Sequence, residues 1–311
     1  MTIIKKIIQL GIGSVFIIAA FLKLLSIDEF EIYLYSFNVI NFFVTTILSR
    51  LIIAGELILG LFLVFDLYHK LTWRLTLCVE CVFAIFLIFT SIYRNDANCH
   101  CFGDLIELNP IESIVKNIVV ILLLLFIKTQ SRRDAETQRR VLPLLIVACA
   151  LLVVFVITPM DSVYNKIFST EKNISTIDLY DSFDDMFKIE FTDEEMTIDS
   201  TTTFIPIKER QLLAIVSSGC KYCRIGIKKL SLIARNKNID VDKINIVIWG
   251  NREGIVDFRE MTDTYSYPYW YIMPHQAIDI TYGRFPMFIY MEDTEIVDIS
   301  DFRNIDDNIS L

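Results

Sequence analysis

Two closely spaced pairs of cysteines stand out among the reactive residues of this chain. A CHC stretch occupies residues 99–101, between two apolar segments, and a CKYC stretch occupies residues 220–223, in a polar region beyond the last apolar segment. A thiolate attacks a disulfide through a mixed disulfide, so two dithiols in one chain can exchange a pair of electrons. Thiol–disulfide exchange is therefore the first hypothesis against which the rest of the sequence is read.

The CKYC stretch follows a short buried strand predicted over Gln211–Ser217 and opens an amphipathic helix predicted over Cys220–Ala234. Cys220 then lies at the positive end of the helix dipole, which stabilises a thiolate and lowers its pKa. Cys223 follows within one turn and is in disulfide reach. The alternatives are a structural disulfide or half of a zinc site, for which this region offers His275 as the one histidine.

Cys99 and Cys101 are separated by a single residue, so a disulfide between them closes a small and strained ring. Strain raises the reduction potential and makes such a bond exchangeable rather than structural. Two alternatives stay open for this pair. It could be labile but idle, or it could bind a metal together with His100, although neighbouring side chains rarely converge on one ion.

The segments that hold these cysteine pairs belong to two different halves of the chain. The chain has 311 residues, 54% of them hydrophobic, and a mean hydropathy of +0.49, which is unusually apolar for a soluble protein. Residues 161–200 are polar and acidic and are interpreted as a linker or an opening hairpin, and residues 201–311 as a soluble α/β domain. Residues 1–160 predict five membrane spans, at 7–25, 47–67, 73–92, 111–127 and 141–158.

Lysine and arginine residues in the short loops predict the orientation of these spans. Loop 128–140 carries five such residues and loop 68–74 carries two, and positively charged loops stay in the cytoplasm. We expect a multi-pass protein of the bacterial inner membrane with a cytoplasmic N-terminus and an extracytoplasmic C-terminal domain. Both cysteine pairs then share the compartment in which disulfides persist.

The charge balance bears on the partners. The net charge of −9 argues against nucleic acid, because phosphate binding needs clustered lysine and arginine. The expected partners are instead the lipid bilayer and extracytoplasmic client proteins that carry cysteines.

Ionisable side chains inside predicted spans need partners. We expect Lys23 to pair with Glu56 and Arg50 to pair with Glu80. These charges either fix the register of the helices or mark a quinone or proton site. No cofactor is required by the motifs, and a quinone is the one that would suit an oxidising route.

Two further cysteines, Cys78 and Cys81, lie three residues apart on one face of the third predicted span. They are interpreted either as small packing residues or as a relay pair that receives electrons from a cytoplasmic reductant.

The soluble half resembles the thioredoxin-like proteins of the periplasm over residues 211–300. The order that carries the resemblance is a strand, the CKYC helix, a strand at 244–249, a helix at 252–264, Pro286, and a hairpin of strands at 287–291 and 295–299. The resemblance implies that Cys220 attacks, Cys223 resolves and Pro286 is a cis-proline facing them. The sequence departs from that pattern at Gly219, where an aromatic residue is usual, and at Phe285, where threonine is usual.

The membrane half resembles the MauE-like family of the DoxX-like superfamily over residues 7–127. Lys23, Glu56 and the CHCFGD stretch at 99–104 carry this resemblance, and the CxCFG pattern is its most specific part. MauE-like proteins are associated with the maturation of methylamine dehydrogenase, a disulfide-rich protein, alongside a thioredoxin-like partner. The resemblance implies that the two parts are fused in this chain.

The sequence therefore predicts a five-span α-helical membrane bundle joined to a thioredoxin-like domain and acting as a thiol–disulfide oxidoreductase. Cys220, Cys223, Cys99, Cys101 and Pro286 are the candidate site residues. Two other classes of function stay open: a maturation factor that docks clients without redox turnover, and metal delivery through the CHC stretch.

Overall fold

The computed structural model describes residues 2–94, 99, 101–104, 106, 108–127, 141–161, 186–192, 196–199, 205–206, 208–305 and 311. These residues form two compact units. One comprises residues 1–37 and 43–160, and the other comprises residues 38–42 and 161–311.

The first unit is a bundle of apolar helices. Four of them are long and apolar enough to cross a membrane, at Ile3–Leu25, Phe42–Val64, His69–Tyr93 and Pro110–Ile127. The fifth apolar helix, Val141–Ile157, has 17 residues and is about 26 Å long at the α-helical rise. The expected five spans are thus four full-length helices and a shorter one, and loop 128–140, on which the predicted orientation depends, lies outside the described residues. The bounds are α1 Thr2–Leu25, α2 Ile27–Tyr35, α3 Phe42–Val64, α4 His69–Tyr93, β1 Cys101–Asp104, α5 Pro110–Ile127 and α6 Val141–Ile157.

The nine-residue helix α2 was not expected, because the sequence places it in a loop between two spans. Seven of its residues are buried, including Glu29 and Glu31. It therefore packs as part of the bundle and brings carboxylates among the membrane helices.

The buried charges of the bundle pair in two ways, one expected and one not. Lys23 forms the predicted ion pair with Glu56. Arg50 pairs with Glu31 of α2, so the predicted pair with Glu80 is wrong. The reason is that α2, which was predicted as a loop outside the bundle, supplies a carboxylate beside Arg50.

Arg50 also holds the end of α6. Its Nε donates to the carbonyl oxygen of Thr158 at 2.8 Å, and its Nη2 donates to that of Pro159 at 3.1 Å. These carbonyls have no partner within the helix, as at any helix C-terminus, and a buried guanidinium satisfies them with charge-assisted hydrogen bonds. Arg50 thus joins α2, α3 and α6.

The second unit contains β2 Phe187–Phe191, β3 Met196–Asp199, β4 Arg210–Ser217, α7 Lys221–Lys237, β5 Ile244–Trp249, α8 Arg252–Thr262, β6 Tyr269–Tyr271, α9 Pro274–Thr281, β7 Met287–Glu292 and β8 Glu295–Ser300. Its strands form a seven-stranded mixed sheet in the order β3-β2-β6-β5-β4-β7-β8. The strand β4 lies near the centre of the sheet, parallel to β5 and antiparallel to β7. Residues 212–216 of β4 are buried on both faces, which explains why they form a continuous apolar run.

The element order that suggested a thioredoxin-like domain is present. The predicted strand at 244–249, the helix beginning at Arg252 and the closing hairpin all form where the pattern indicates. The hairpin of β2 and β3 pairs with β6, so the sheet begins inside the segment that the sequence left open between a linker and a hairpin. The short elements β6 and α9 were not predicted.

Candidate redox-active cysteine pairs

The end of β4 positions the CKYC stretch. β4 ends at Ser217, and Cys220 is the N-cap residue of α7 with extended backbone angles. The Sγ atom of Cys220 accepts a hydrogen bond from the backbone N–H of Cys223 at 3.3 Å, which satisfies one of the free donors at the start of the helix. Because β4 is hydrogen-bonded to a strand on each side, it positions the Sγ atom of Cys220 rigidly.

The two cysteines of this pair differ sharply in proton affinity. Hydrogen bonding from the Cys223 thiol, followed by the backbone N–H groups of Cys223 and Tyr222 and the charge of Arg224, lowers the pKa of Cys220 to about 6. Burial, followed by the hydrogen bond to Cys220, raises the pKa of Cys223. Cys220 is therefore the thiolate and Cys223 keeps its proton, which is the arrangement of an attacking and a resolving cysteine.

The Phe285–Pro286 peptide bond is cis, as predicted. Pro286 directly precedes Met287, which pairs with Ile215 of β4. The proline therefore lies at the same end of the sheet as the turn that leads to Cys220.

Aromatic side chains occupy the positions around this end of the sheet. The rings of Trp249 and Phe285 have centroids 6.0 Å apart, and the backbone N–H of Ser218 donates to the carbonyl oxygen of Trp249 at 3.1 Å. Tyr222, between the two cysteines, is 49% exposed and stacks on Phe302 at 4.8 Å. Phe285, at which the sequence departs from the usual threonine, thus belongs to an aromatic pair.

The membrane unit holds the other pair in a buried setting. Cys99 is 2% exposed and Cys101 is 3% exposed. The Sγ of Cys99 lies 2.8 Å from the Oγ of Ser113 on α5, and it accepts the backbone N–H of Cys101 at 3.3 Å. The backbone N–H of Cys99 donates to the carbonyl oxygen of Leu108 at 2.9 Å, which fixes the start of the stretch.

The same asymmetry of proton affinity appears here. The hydrogen bond from the Cys101 thiol, then those from Ser113 and from the backbone N–H of Cys101, and the charge of Lys116 lower the pKa of Cys99 to about 6. The hydrogen bond to Cys99, with burial, raises the pKa of Cys101. Each pair therefore combines a thiolate in first position with a protonated thiol in second position.

Gly103 explains the glycine of the CxCFG pattern. Its φ is +68°, and a Cβ atom would lie 2.8 Å from the carbonyl oxygen of Leu22 and in collision with the hydroxyl of Ser26. Both the left-handed backbone and the close approach to α1 exclude a side chain. The glycine thus lets the cysteine stretch pack against the end of α1.

The remaining cysteines take other positions. Cys78 and Cys81 are exposed on α4, and Cys149 is exposed on α6. The prediction that Cys78 and Cys81 are packing residues inside this bundle is therefore wrong. Their role as a relay pair stays a prediction. No cluster of three or more metal-ligating side chains occurs among the residues that the structure describes, and His100 lies outside them.

A family model described as "Methylamine utilisation protein MauE" matches residues 1–129. The N-terminal domain is MauE-like. Protein TlpB of Flavobacterium psychrophilum is 26% identical over 301 aligned positions, which cover 84% of this chain and 81% of that protein. The similarity therefore runs through the membrane domain and the thioredoxin-like domain together. The chain is a MauE-like membrane domain fused to a thioredoxin-like domain, and this combination supports a role in thiol–disulfide chemistry at a membrane.

Sequence reasoning missed two residues that interact with the cysteine pair of the membrane unit. Ser113 and Lys116 lie on one turn of α5, and Asn117 follows on the same face. Polar residues at positions i, i+3 and i+4 of an otherwise apolar span indicate a face that avoids lipid. That spacing is the signal that would have found them.

We predict that the alkylation rate of Cys220 in the reduced protein rises with pH around a midpoint near 6, well below the free-thiol value of about 8.5. Ionisation of Cys220 stabilises the folded, reduced protein relative to the unfolded chain. Because the pKa of Cys220 is lowered, this contribution is complete above the ordinary cysteine value of 9.0 and is lost as the pH falls through 6. Peptide mass spectrometry after timed alkylation measures the rate.

Two substitutions test the cause of this shift. Arg224→Gln should raise the midpoint, because Arg224 is one of the groups that stabilise the thiolate. Lys221→Gln is the matched control, since Lys221 is exposed and should leave the midpoint in place. A midpoint at or above the free-thiol value in the unchanged protein would remove Cys220 from the attacking role.

Proposed function

We propose that this protein is a membrane-bound thiol–disulfide oxidoreductase that passes electrons between Cys99/Cys101 and Cys220/Cys223 for the redox maturation of extracytoplasmic proteins. The observation that carries the proposal is the shared geometry of the two pairs, in each of which the Sγ atom of the first cysteine accepts the backbone N–H of the second at 3.3 Å. In each pair the pKa of the first cysteine is lowered to about 6 and the pKa of the second cysteine is raised. An idle packing pair or a structural disulfide needs no such division between nucleophile and proton carrier.

The exchange balances between the two pairs alone. With Cys220/Cys223 as the disulfide, the Cys99 thiolate attacks the sulfur of Cys220, and Cys223 leaves and takes up a proton. Cys101 then loses its proton and attacks the sulfur of Cys99, and Cys220 leaves as a thiolate. Two electrons move from the membrane pair to the thioredoxin-like pair, and the reverse sequence returns them.

Redox titration tests this function. In full-length protein equilibrated with glutathione buffers of graded potential, both pairs should titrate as two-electron dithiol–disulfide couples. Alkylation followed by mass spectrometry reports each cysteine, and the exposed Cys149 is the internal control for a single thiol. If the four cysteines stayed thiols through every buffer, a docking factor without redox turnover would be the better description.

The proposal includes an orientation. The thioredoxin-like domain lies outside the cytoplasm, where client proteins carry disulfides, and the N-terminus lies inside. We predict that an impermeant thiol reagent labels Cys220 in intact spheroplasts after mild reduction. Loss of the label in a Cys220→Ser variant identifies the labelled site. If Cys220 were labelled only after lysis of the spheroplasts, the thioredoxin-like domain would lie in the cytoplasm and the proposed orientation would be wrong.

A further inference from the structure

A polar cavity lies inside the MauE-like domain, next to the buried cysteine pair. Lys23 of α1, Glu56 of α3, Glu80 of α4, Lys116 and Asn117 of α5, and Cys101 contribute to its lining, and the cavity has room for a water molecule. Polar and ionisable groups are costly among membrane helices, so their convergence on one small space points to a function.

Several of these groups lack hydrogen-bond partners among the described residues. The amide of Asn117 is 1% exposed, and neither its nitrogen nor its oxygen has a partner. One carboxylate oxygen each of Glu56 and Glu80 is buried and unpartnered as well. Buried polar groups are normally satisfied by protein or by ordered water, and a water in this cavity would bond to Asn117 and a carboxylate together.

The charged side chains around the cavity differ in the partners that they contact. Lys23 is paired with Glu56, and its Nζ also lies 5.2 Å from the ring centre of Phe83. Lys116 lies over the ring of Phe102 at 5.0 Å and lowers the pKa of the neighbouring Cys99. Among the described residues, Glu80 has no ion-pair partner, so its carboxylate is the one not already engaged.

The proposed exchange needs a base at this place. Cys101 must lose its proton before it can attack the sulfur of Cys99, and burial together with its hydrogen bond to Cys99 holds that proton on the thiol. Lys23 and Glu56 form an ion pair with each other, and Lys116 lies over the ring of Phe102. In the part of the chain that the structure describes, the charged side chains that line this cavity with Glu80 are Lys23, Glu56 and Lys116, from α1, α3 and α5.

We propose that Glu80 accepts the proton of Cys101 through a water held by Asn117, an inference that rests on the proposed redox function. In the forward direction, the Cys101 proton passes to the water and the water's proton to Glu80. The Cys101 thiolate then attacks the Cys99 sulfur and the mixed-disulfide partner leaves as a thiolate. In the reverse direction, the protonated Glu80 returns the proton to Cys101 as its thiolate departs.

The experiment isolates this step in the full-length chain. Cys78, Cys81 and Cys149 are replaced by Ala, and Cys220 and Cys223 by Ser, so that the membrane pair alone reacts. The small reagent methyl methanethiosulfonate transfers its thiomethyl group to Cys99 and releases methanesulfinate. Cys101 then displaces methanethiolate. Intact-mass spectrometry of quenched samples separates the adduct from the internal disulfide and gives both rates.

Glu80→Gln should slow the second step about tenfold or more, as expected for loss of a general base, and leave the first step unchanged. Its second step should also rise with pH across the range in which the parent is flat, because hydroxide replaces the carboxylate. Asn117→Leu removes two unpartnered buried atoms, so it should slow the second step without loss of thermal stability. Glu112→Gln, at the exposed start of α5, is the matched control and should behave as the parent.

The outcomes separate the inference from the function on which it rests. A second step that is unchanged in Glu80→Gln, while the parent forms the disulfide, overturns the role of Glu80 and leaves the redox function intact. A parent in which Cys101 never resolves the adduct overturns both. An unchanged first step in Glu80→Gln shows that this variant is folded around Cys99.

Discussion

Replacing Cys223 with Ser should leave Cys220 trapped in a covalent link to Cys99 or Cys101. A mixed disulfide on Cys220 is normally cleared by the resolving cysteine, and serine cannot attack it. The expected change is all-or-none, from a transient species to one that survives electrophoresis without reductant. Mass spectrometry of non-reduced peptides identifies the two joined cysteines, within one chain or between two chains.

The control for this trap removes its partner. Changing both Cys99 and Cys101 to Ser in the Cys223→Ser background should abolish the link, whereas changing Cys149 to Ser should leave it. If Cys220 were always joined to a separate protein and never to the CHC stretch, the exchange between the two domains would be wrong, and the thioredoxin-like domain would work independently.

Replacing Arg50 with Met should destabilise the MauE-like domain by about 3–5 kcal/mol, the usual consequence of leaving one member of a buried ion pair uncompensated. Arg50 is 3% exposed and Glu31 is 5% exposed in this pair. The substitution also leaves the carbonyl oxygens of Thr158 and Pro159 without their donor. Equilibrium unfolding in detergent micelles measures the loss.

A second substitution separates the charge from the packing. Arg50→Met combined with Glu31→Met should be less destabilising than Arg50→Met alone, because no unpaired charge then remains buried. Lys6→Met, at an exposed position of α1, is the matched control and should change the stability by no more than about 0.5 kcal/mol. Equal losses for the single and double variants would show that the ion pair contributes nothing.

Local patterns explain which parts of the fold could be predicted. The spans of the membrane domain and the strand β4 are continuous apolar runs, and α7 is amphipathic, so each is determined by its own residues. The helix α2 and the strand β6 are short, and their formation depends on what they pack against. The partner of Arg50 was misassigned for the same reason, since an ion pair across a bundle depends on tertiary structure.

The candidate site divides in the same way. Spacing alone identified Cys99, Cys101, Cys220 and Cys223 as two dithiols, and the helix N-terminus indicated which cysteine of the second pair would be the thiolate. The asymmetry of the first pair could not be predicted from the sequence, because it depends on the hydrogen bond between the two thiols, on burial and on the contact with Ser113 of α5. These are contacts between segments, and no local pattern reports them.

For the proposed exchange between the two cysteine pairs, the attachment of α6 by Arg50 has a kinetic consequence. Because Thr158 and Pro159 are bound to the bundle, the chain leaves the membrane domain at a fixed point. The length of the connection to the thioredoxin-like domain is counted from that point. A fused partner meets its target at an effective concentration set by that length rather than by its abundance in the cell. Exchange between the two pairs within one chain would then be first order and insensitive to expression level. Release of α6 from Arg50 would lengthen the connection and dilute the partner.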